Sequence, residues 1–130
     1  VCPWNQKSRS ILPYPAFSPF HPVINPVLPE ELKLDEKRFK QKFKNSPVLR
    51  AKRRGYLRNV TVALGNLADP VVLETLMDTL FHDPDPLIRK HAVWALGQFN
   101  HPAARQGLQN ALQNEIISEV RIEINRALGD

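Results

Sequence analysis

The triplet Ala63-Leu64-Gly65 returns as Ala95-Leu96-Gly97 and again as Ala127-Leu128-Gly129, at a spacing of 32 residues each time. At the same offset Leu67 answers to Phe99, Pro70 to Pro102 and Arg58 to Lys90. A repeat of about 30 residues whose apolar positions recur at helical spacing describes stacked helical hairpins. One such hairpin cannot bury its own apolar stripe, so neighbours must cover it and the core runs through the stack.

The residues between the triplets predict the individual helices. Leu57 to Leu67 reads as the first, with Val60, Ala63, Leu64 and Leu67 on one face. Asp69-Pro70 caps a second, which carries Val72, Leu73, Leu76, Met77 and Leu80. His82-Asp83-Pro84-Asp85-Pro86 is a turn in which Asp83 and Asp85 act as helix caps, and Asp85-Pro86 opens a third helix burying Ile88, Ala92, Ala95, Leu96 and Phe99. Pro102 opens a fourth, with Ala104, Leu108, Ala111 and Leu112 inward. Acceptor side chains at the cap and proline at the first position are the expected start signals. Val120 to Leu128 is a last, unpaired helix whose Glu119, Arg121, Glu123, Asn125 and Arg126 would form a polar outer face. The expected fold class is all-α, and residues 57–130 resemble the short HEAT-like repeats of an α-solenoid.

Two different segments precede the repeats. Residues 1–29 hold seven of the twelve prolines, interleaved with Trp4, Ile11, Leu12, Tyr14, Phe17 and Phe20. Proline at that density removes backbone donors and blocks helix, so an extended, irregular strap is expected. Residues 30–56 read as a basic helical segment. Asp35 caps a helix with Phe39 and Phe43 on one face, Ser46-Pro47 starts another, and Gly55 ends it. Residues 37–58 contain ten Lys or Arg and no Asp or Glu, whereas the rest of the chain has eight basic and thirteen acidic residues. The formal net charge of +5 thus divides into a strongly positive ledge on a mildly acidic body. Ordinary solvated helices mix signs, because opposite charges three or four apart stabilise them; ten uncompensated cations repel one another unless a polyanion relieves them.

The totals narrow the classes further. No apolar run approaches the ~18–20 residues that span a bilayer, and the first residues lack the basic start and apolar stretch of a secretory signal. The chain begins with Val1 rather than Met and reads as a fragment or processed product. Its one cysteine, Cys2, cannot make an internal disulfide, which leaves the cytoplasm as the expected compartment; a monomer is the expected state.

Three stretches together resemble one family. Cys2-Pro3-Trp4-Asn5 is how a bacterial ferredoxin-type cluster motif ends. Ser46-Pro47, Ala51-Lys52-Arg53-Arg54-Gly55 and Leu57-Arg58-Asn59 follow, and Ala63-Leu64-Gly65-Asn66 leads into the repeats. In this order and spacing the chain is similar to the C-terminal part of epoxyqueuosine reductases. The resemblance implies a parent enzyme with a cobalamin-binding domain, two [4Fe–4S] clusters and a C-terminal HEAT-like domain, reducing epoxyqueuosine to queuosine in tRNA. It implies that Cys2 is a cluster ligand in the intact parent, and that this part holds the tRNA anticodon arm. A single cysteine cannot supply the four ligands of a [4Fe–4S] cluster, so this segment alone is expected to carry neither cofactor nor catalytic residue and to be inactive.

Within the ledge the expected RNA contacts are Arg50, Lys52, Arg53, Arg54 and Arg58, followed by Lys37, Lys40 and Lys44. Changing Lys52, Arg53 and Arg54 together to Glu should abolish tRNA binding and leave helicity intact. Tyr56 is weighed as a base-stacking residue and assigned instead to packing, as is Trp94. The four histidines show no ligand spacing. The rival reading is a HEAT-like scaffold for protein partners, whose binding would respond little to salt.

Overall fold

The computed structural model describes residues 28–129, so Cys2 and the proline-rich residues 1–27 lie outside the described residues. Among the described residues there are seven α-helices and no strand, as the all-α reading requires. They are α1 (Leu28–Glu31), α2 (Glu36–Lys42), α3 (Lys52–Leu67), α4 (Leu73–His82), α5 (Pro86–Gly97), α6 (Pro102–Asn114) and α7 (Ser118–Gly129), with 3₁₀ turns at Pro47–Ala51 and Pro70–Val72. Helices α3, α5 and α7 pack side by side as one layer, and α4 and α6 form the second.

The starts are local chemistry. Side chains of Asp35, Ser46, Asp69, Asp85 and His101 each accept a backbone N–H of the turn they open, and proline follows the last four. These caps satisfy donors that a helix start leaves without partners. Two expected boundaries differ. Gly55 does not end a helix: α3 runs unbroken from Lys52 to Leu67, so the basic segment and the first repeat share one helix. Leu67, expected inward, is 67% exposed. It is the last residue of α3, before Ala68 turns the chain at φ 50°, and the buried face is made instead by Leu57, Val60, Thr61 and Leu64. On α7 the expected polar face is also corrected: Glu123 is buried at 8% exposure while Ile122 beside it is 57% exposed.

The repeat is visible in hydrogen bonds as well as in residue type. Asp83 and Glu115, 32 residues apart, each accept the backbone N–H two residues on, from Asp85 and Ile117. Arg89 and Arg121, again 32 apart, each donate to the carbonyl of the acid six residues earlier. Arg89 also holds Glu115 with Nε and Nη2 at 2.9 and 3.0 Å, fastening α5 to the next turn. Burial of Glu115 opposes ionisation, but these Arg89 bonds and the Ile117 N–H outweigh it and hold the carboxyl below its ordinary range.

The glycines of the first two triplets are where the next helix of the layer comes close. A Cβ at Gly65 would sit 2.9 Å from the Ala95 Cα and 2.6 Å from the Trp94 ring; at Gly97 it would meet the Ala127 Cβ at 3.3 Å; at Gly129 it would meet nothing within 4 Å. Alanine is favoured over glycine in a helix by about 1 kcal/mol, and overpacking costs about 1–3 kcal/mol. Gly65→Ala should therefore lower the urea midpoint, Gly97→Ala should be near neutral, and Gly129→Ala should raise it slightly. Equal shifts for all three would show that close approach of the helices does not set the triplet.

Candidate nucleic-acid interface

The basic segment is fixed to the repeats by an aromatic cluster. Phe39 and Phe43 are buried, and Tyr56 of α3 packs against both, with ring centroids 5.7 and 4.8 Å away. The Tyr56 hydroxyl donates to Glu31 at 2.6 Å. Burial, this hydrogen bond and the Glu31 charge push its titration well above the ordinary tyrosine range. Glu31 is itself buried and also paired with Lys42. Tyr56 is a packing residue, as weighed from sequence. With Phe39 and Phe43 inward, Lys37 and Lys40 occupy the outer side of α2, and Lys44 follows just past its end; all three are exposed.

Arg53 overturns an expected RNA contact. It is 9% exposed, and its guanidinium is committed to protein groups. Nε donates to the Leu34 carbonyl at 2.7 Å, and Nη2 to Asp83 at 2.6 Å, with Asp83 also buried. The pair ties α3 to the α4–α5 turn thirty residues away. Asp83 is thus the buried partner of Arg53 as well as a turn acceptor, a role that sequence spacing does not display.

The other expected contacts face outward. Arg50, Lys52, Arg54 and Arg58 are exposed. Arg54 approaches Asp85 at 3.0 Å with its side chain 59% exposed, a surface pair worth little against competing phosphates. Of the ten cations in 37–58, only Lys42, Arg53 and Arg54 have a carboxylate partner among the described residues. Of the thirteen Asp and Glu residues only Asp130 lies outside the described residues. The first turn of α3 carries Lys52, Arg53 and Arg54 and no acid, the reverse of what the helix dipole favours. Lys52 also takes φ 62°, ψ 165° where the 3₁₀ turn passes into α3, a conformation costing about 1–3 kcal/mol for a residue with a side chain. Charge and backbone energy are both unfavourable at this junction.

A cleft that sequence reasoning missed lies further along the same helix. Arg54, Arg58 and Val62 follow at four-residue steps on α3, which places them on one face. Val62 then lines a cavity of about 260 Å³ with Lys90, His91 and Trp94 of α5 and Glu123 of α7. The repeat pairing of Arg58 with Lys90 was the signal available; the assembly of the cleft from three helices was not legible. Among the described residues no group of three or more His, Asp or Glu could hold a metal, and none of the helices is long and apolar enough to cross a membrane. His101 is a helix cap, His82 bonds to Asp78, and His91 Nδ1 contacts the Leu87 carbonyl at 2.9 Å.

Residues 47–129 match the family described as HEAT repeats. The chain belongs to the HEAT-repeat family. Over 98% of its length this HEAT chain is 30% identical to an epoxyqueuosine reductase of Bacillus subtilis (strain 168), covering 33% of that protein. It is 33% identical to an epoxyqueuosine reductase of Pseudomonas aeruginosa over 74% of the chain and 26% of the relative. A crystal structure of epoxyqueuosine reductase with an epoxyqueuosine-modified tRNA-Tyr stem loop superposes with a TM-score of 0.76 at 31% identity, covering 83% of this chain and 29% of that one. The HEAT chain is thus homologous to part of the epoxyqueuosine reductases, and it spans about a third of the length of the curated relatives it matches.

Proposed function

We propose that this chain is the tRNA-holding, C-terminal part of an epoxyqueuosine reductase, and that it grips the anticodon arm by its phosphates. The observation that carries the reading is the exposed ledge: Lys37, Lys40, Lys44, Arg50, Lys52 and Arg58 face solvent without a carboxylate partner among the described residues, with Arg54 beside them. Each phosphate neutralised releases condensed counterions, so modest single contacts add to substantial affinity. Such contacts fix position and carry no sequence information; selection of the modified base belongs to the rest of the parent. The kinship with epoxyqueuosine reductases, one of them solved with a tRNA stem loop, supports the same partner.

The parent reaction is reduction of epoxyqueuosine to queuosine in tRNA, with cobalamin and two [4Fe–4S] clusters as its cofactors, in the cytoplasm. Cys2 would give one thiolate to a cluster, the other ligands coming from upstream residues. This chain would contribute no catalytic residue.

Titrating a tRNA anticodon stem loop against the chain at increasing salt tests the reading. Affinity should fall linearly on a log–log plot with a slope of several units, at ~0.7–0.9 per phosphate contact. Flat salt dependence would show that phosphate contacts on the ledge do not hold the RNA, and would favour the alternative reading of a HEAT-like scaffold for a protein partner.

A further inference from the structure

We propose that the cleft between α3, α5 and α7 takes an unpaired nucleobase of the bound RNA, with guanine preferred. This deepens the RNA reading and rests on it. The ridge Arg54–Arg58 leads along α3 to Val62, so a strand whose phosphates follow these arginines arrives at the cleft mouth. Lys90, the repeat counterpart of Arg58, stands there on the adjacent helix and has no carboxylate partner among the described residues.

Inside, the chemistry suits a base better than a peptide or a bare anion. Trp94 is half-buried; its ring comes against Gly65, and the residue lines the cavity. Indole offers a stacking surface that tolerates any base. Glu123 is the residue that departs from pattern: it is buried while Ile122 is exposed. One Glu123 oxygen, Oε1, accepts from Arg126 at 2.7 Å, and Oε2 has no partner among the described residues. A carboxylate accepts from bases that carry donors on the Watson–Crick edge. Guanine presents two adjacent donors there, N1–H and the N2 amino group, whereas uracil presents one. Lys90, which lines the same cleft, disfavours a cationic ligand, and Glu123 disfavours an isolated phosphate.

The full chain with Trp4→Phe leaves Trp94 as the sole tryptophan and a direct reporter. A five-nucleotide uracil-only RNA and the same RNA with one central guanine are titrated while Trp94 emission is followed. The guanine RNA should quench the emission and bind about tenfold more tightly, about 1.4 kcal/mol. Glu123→Gln should remove that preference. Trp94→Leu should weaken binding by roughly tenfold while Trp94→Phe, which keeps an aromatic face, should not; circular dichroism verifies that each variant is folded. If the anticodon stem loop binds with its steep salt slope, but Trp94 emission does not change and Trp94→Leu binds as tightly as the parent chain, the cleft proposal is overturned and the RNA reading stands. If the stem loop does not bind even at low salt, both fall. Quenching by an arginine-rich peptide and not by either RNA would give the cleft to a protein ligand and overturn the proposal.

Discussion

Asp83→Ala is expected to cost the fold about 3–5 kcal/mol, the cost of leaving a buried charge without its partner. For a domain whose whole stability is of order 5–15 kcal/mol, that is a large drop in the urea midpoint or unfolding temperature. The Arg53 and Asp83 side chains are only 11% and 4% exposed, so removing the carboxylate strands a guanidinium that still reaches the Leu34 carbonyl but has lost its counter-charge. The α4–α5 turn also loses its acceptor for the Asp85 N–H. Arg54→Ala is the internal control: its pair with Asp85 is exposed and should be worth under about 1 kcal/mol. A double variant, Arg53→Met with Asp83→Leu, should recover much of the loss, because an apolar pair of similar volume carries no desolvation penalty. A change within about 1 kcal/mol for Asp83→Ala would show that the pair does not tether the basic segment to the repeats.

Whether a feature was legible in the sequence depended on how far apart its parts lie in the chain. The caps at Asp35, Ser46, Asp69 and Asp85 and the inward faces of α4, α5 and α6 are set within one or two turns, and spacing alone revealed them. The charge run in 37–58 was legible as composition, but composition does not distinguish Arg53 from its neighbours. That distinction rests on a partner thirty residues away, brought close only because α3 packs beside α5 and therefore beside the turn that precedes it. Gly55 misled for a related reason. Glycine after a basic run reads as a stop, but tertiary packing of Tyr56 and Leu57 carries the helix through it, overriding a penalty of about 1 kcal/mol. The buried Glu123 was hidden by periodicity: its neighbours Glu119, Arg121, Asn125 and Arg126 do face outward, and the cleft it lines with Lys90, His91 and Trp94 is assembled from helices thirty residues apart.

The burial of Arg53 also changes which substitutions test the ledge. Lys52, Arg53 and Arg54 changed together to Glu would lose RNA binding, but for the wrong reason, since Arg53→Glu sets two buried carboxylates against each other. Lys52→Glu with Arg54→Glu and Arg58→Glu removes three outward cations and leaves the tether intact. Two of the new acids fall in the first turn of α3, where the helix dipole favours them by about 0.3–1 kcal/mol each. This offsets the lost surface pair with Asp85, so helicity and unfolding midpoint should stay close to those of the parent chain. Binding should not. The formal net charge passes from +5 to about −1, and three phosphate contacts turn repulsive. Affinity for the anticodon stem loop should fall by two orders of magnitude or more at low salt, and the log–log salt slope should shrink by about 2–3 units, at ~0.7–0.9 per contact. The slope is the decisive readout, because a variant that merely loosened the fold would lose affinity at every salt concentration without changing the number of ions released. A folded triple variant that kept the parent slope would mean that the phosphates lie elsewhere, and the exposed ledge would then have no part in holding RNA.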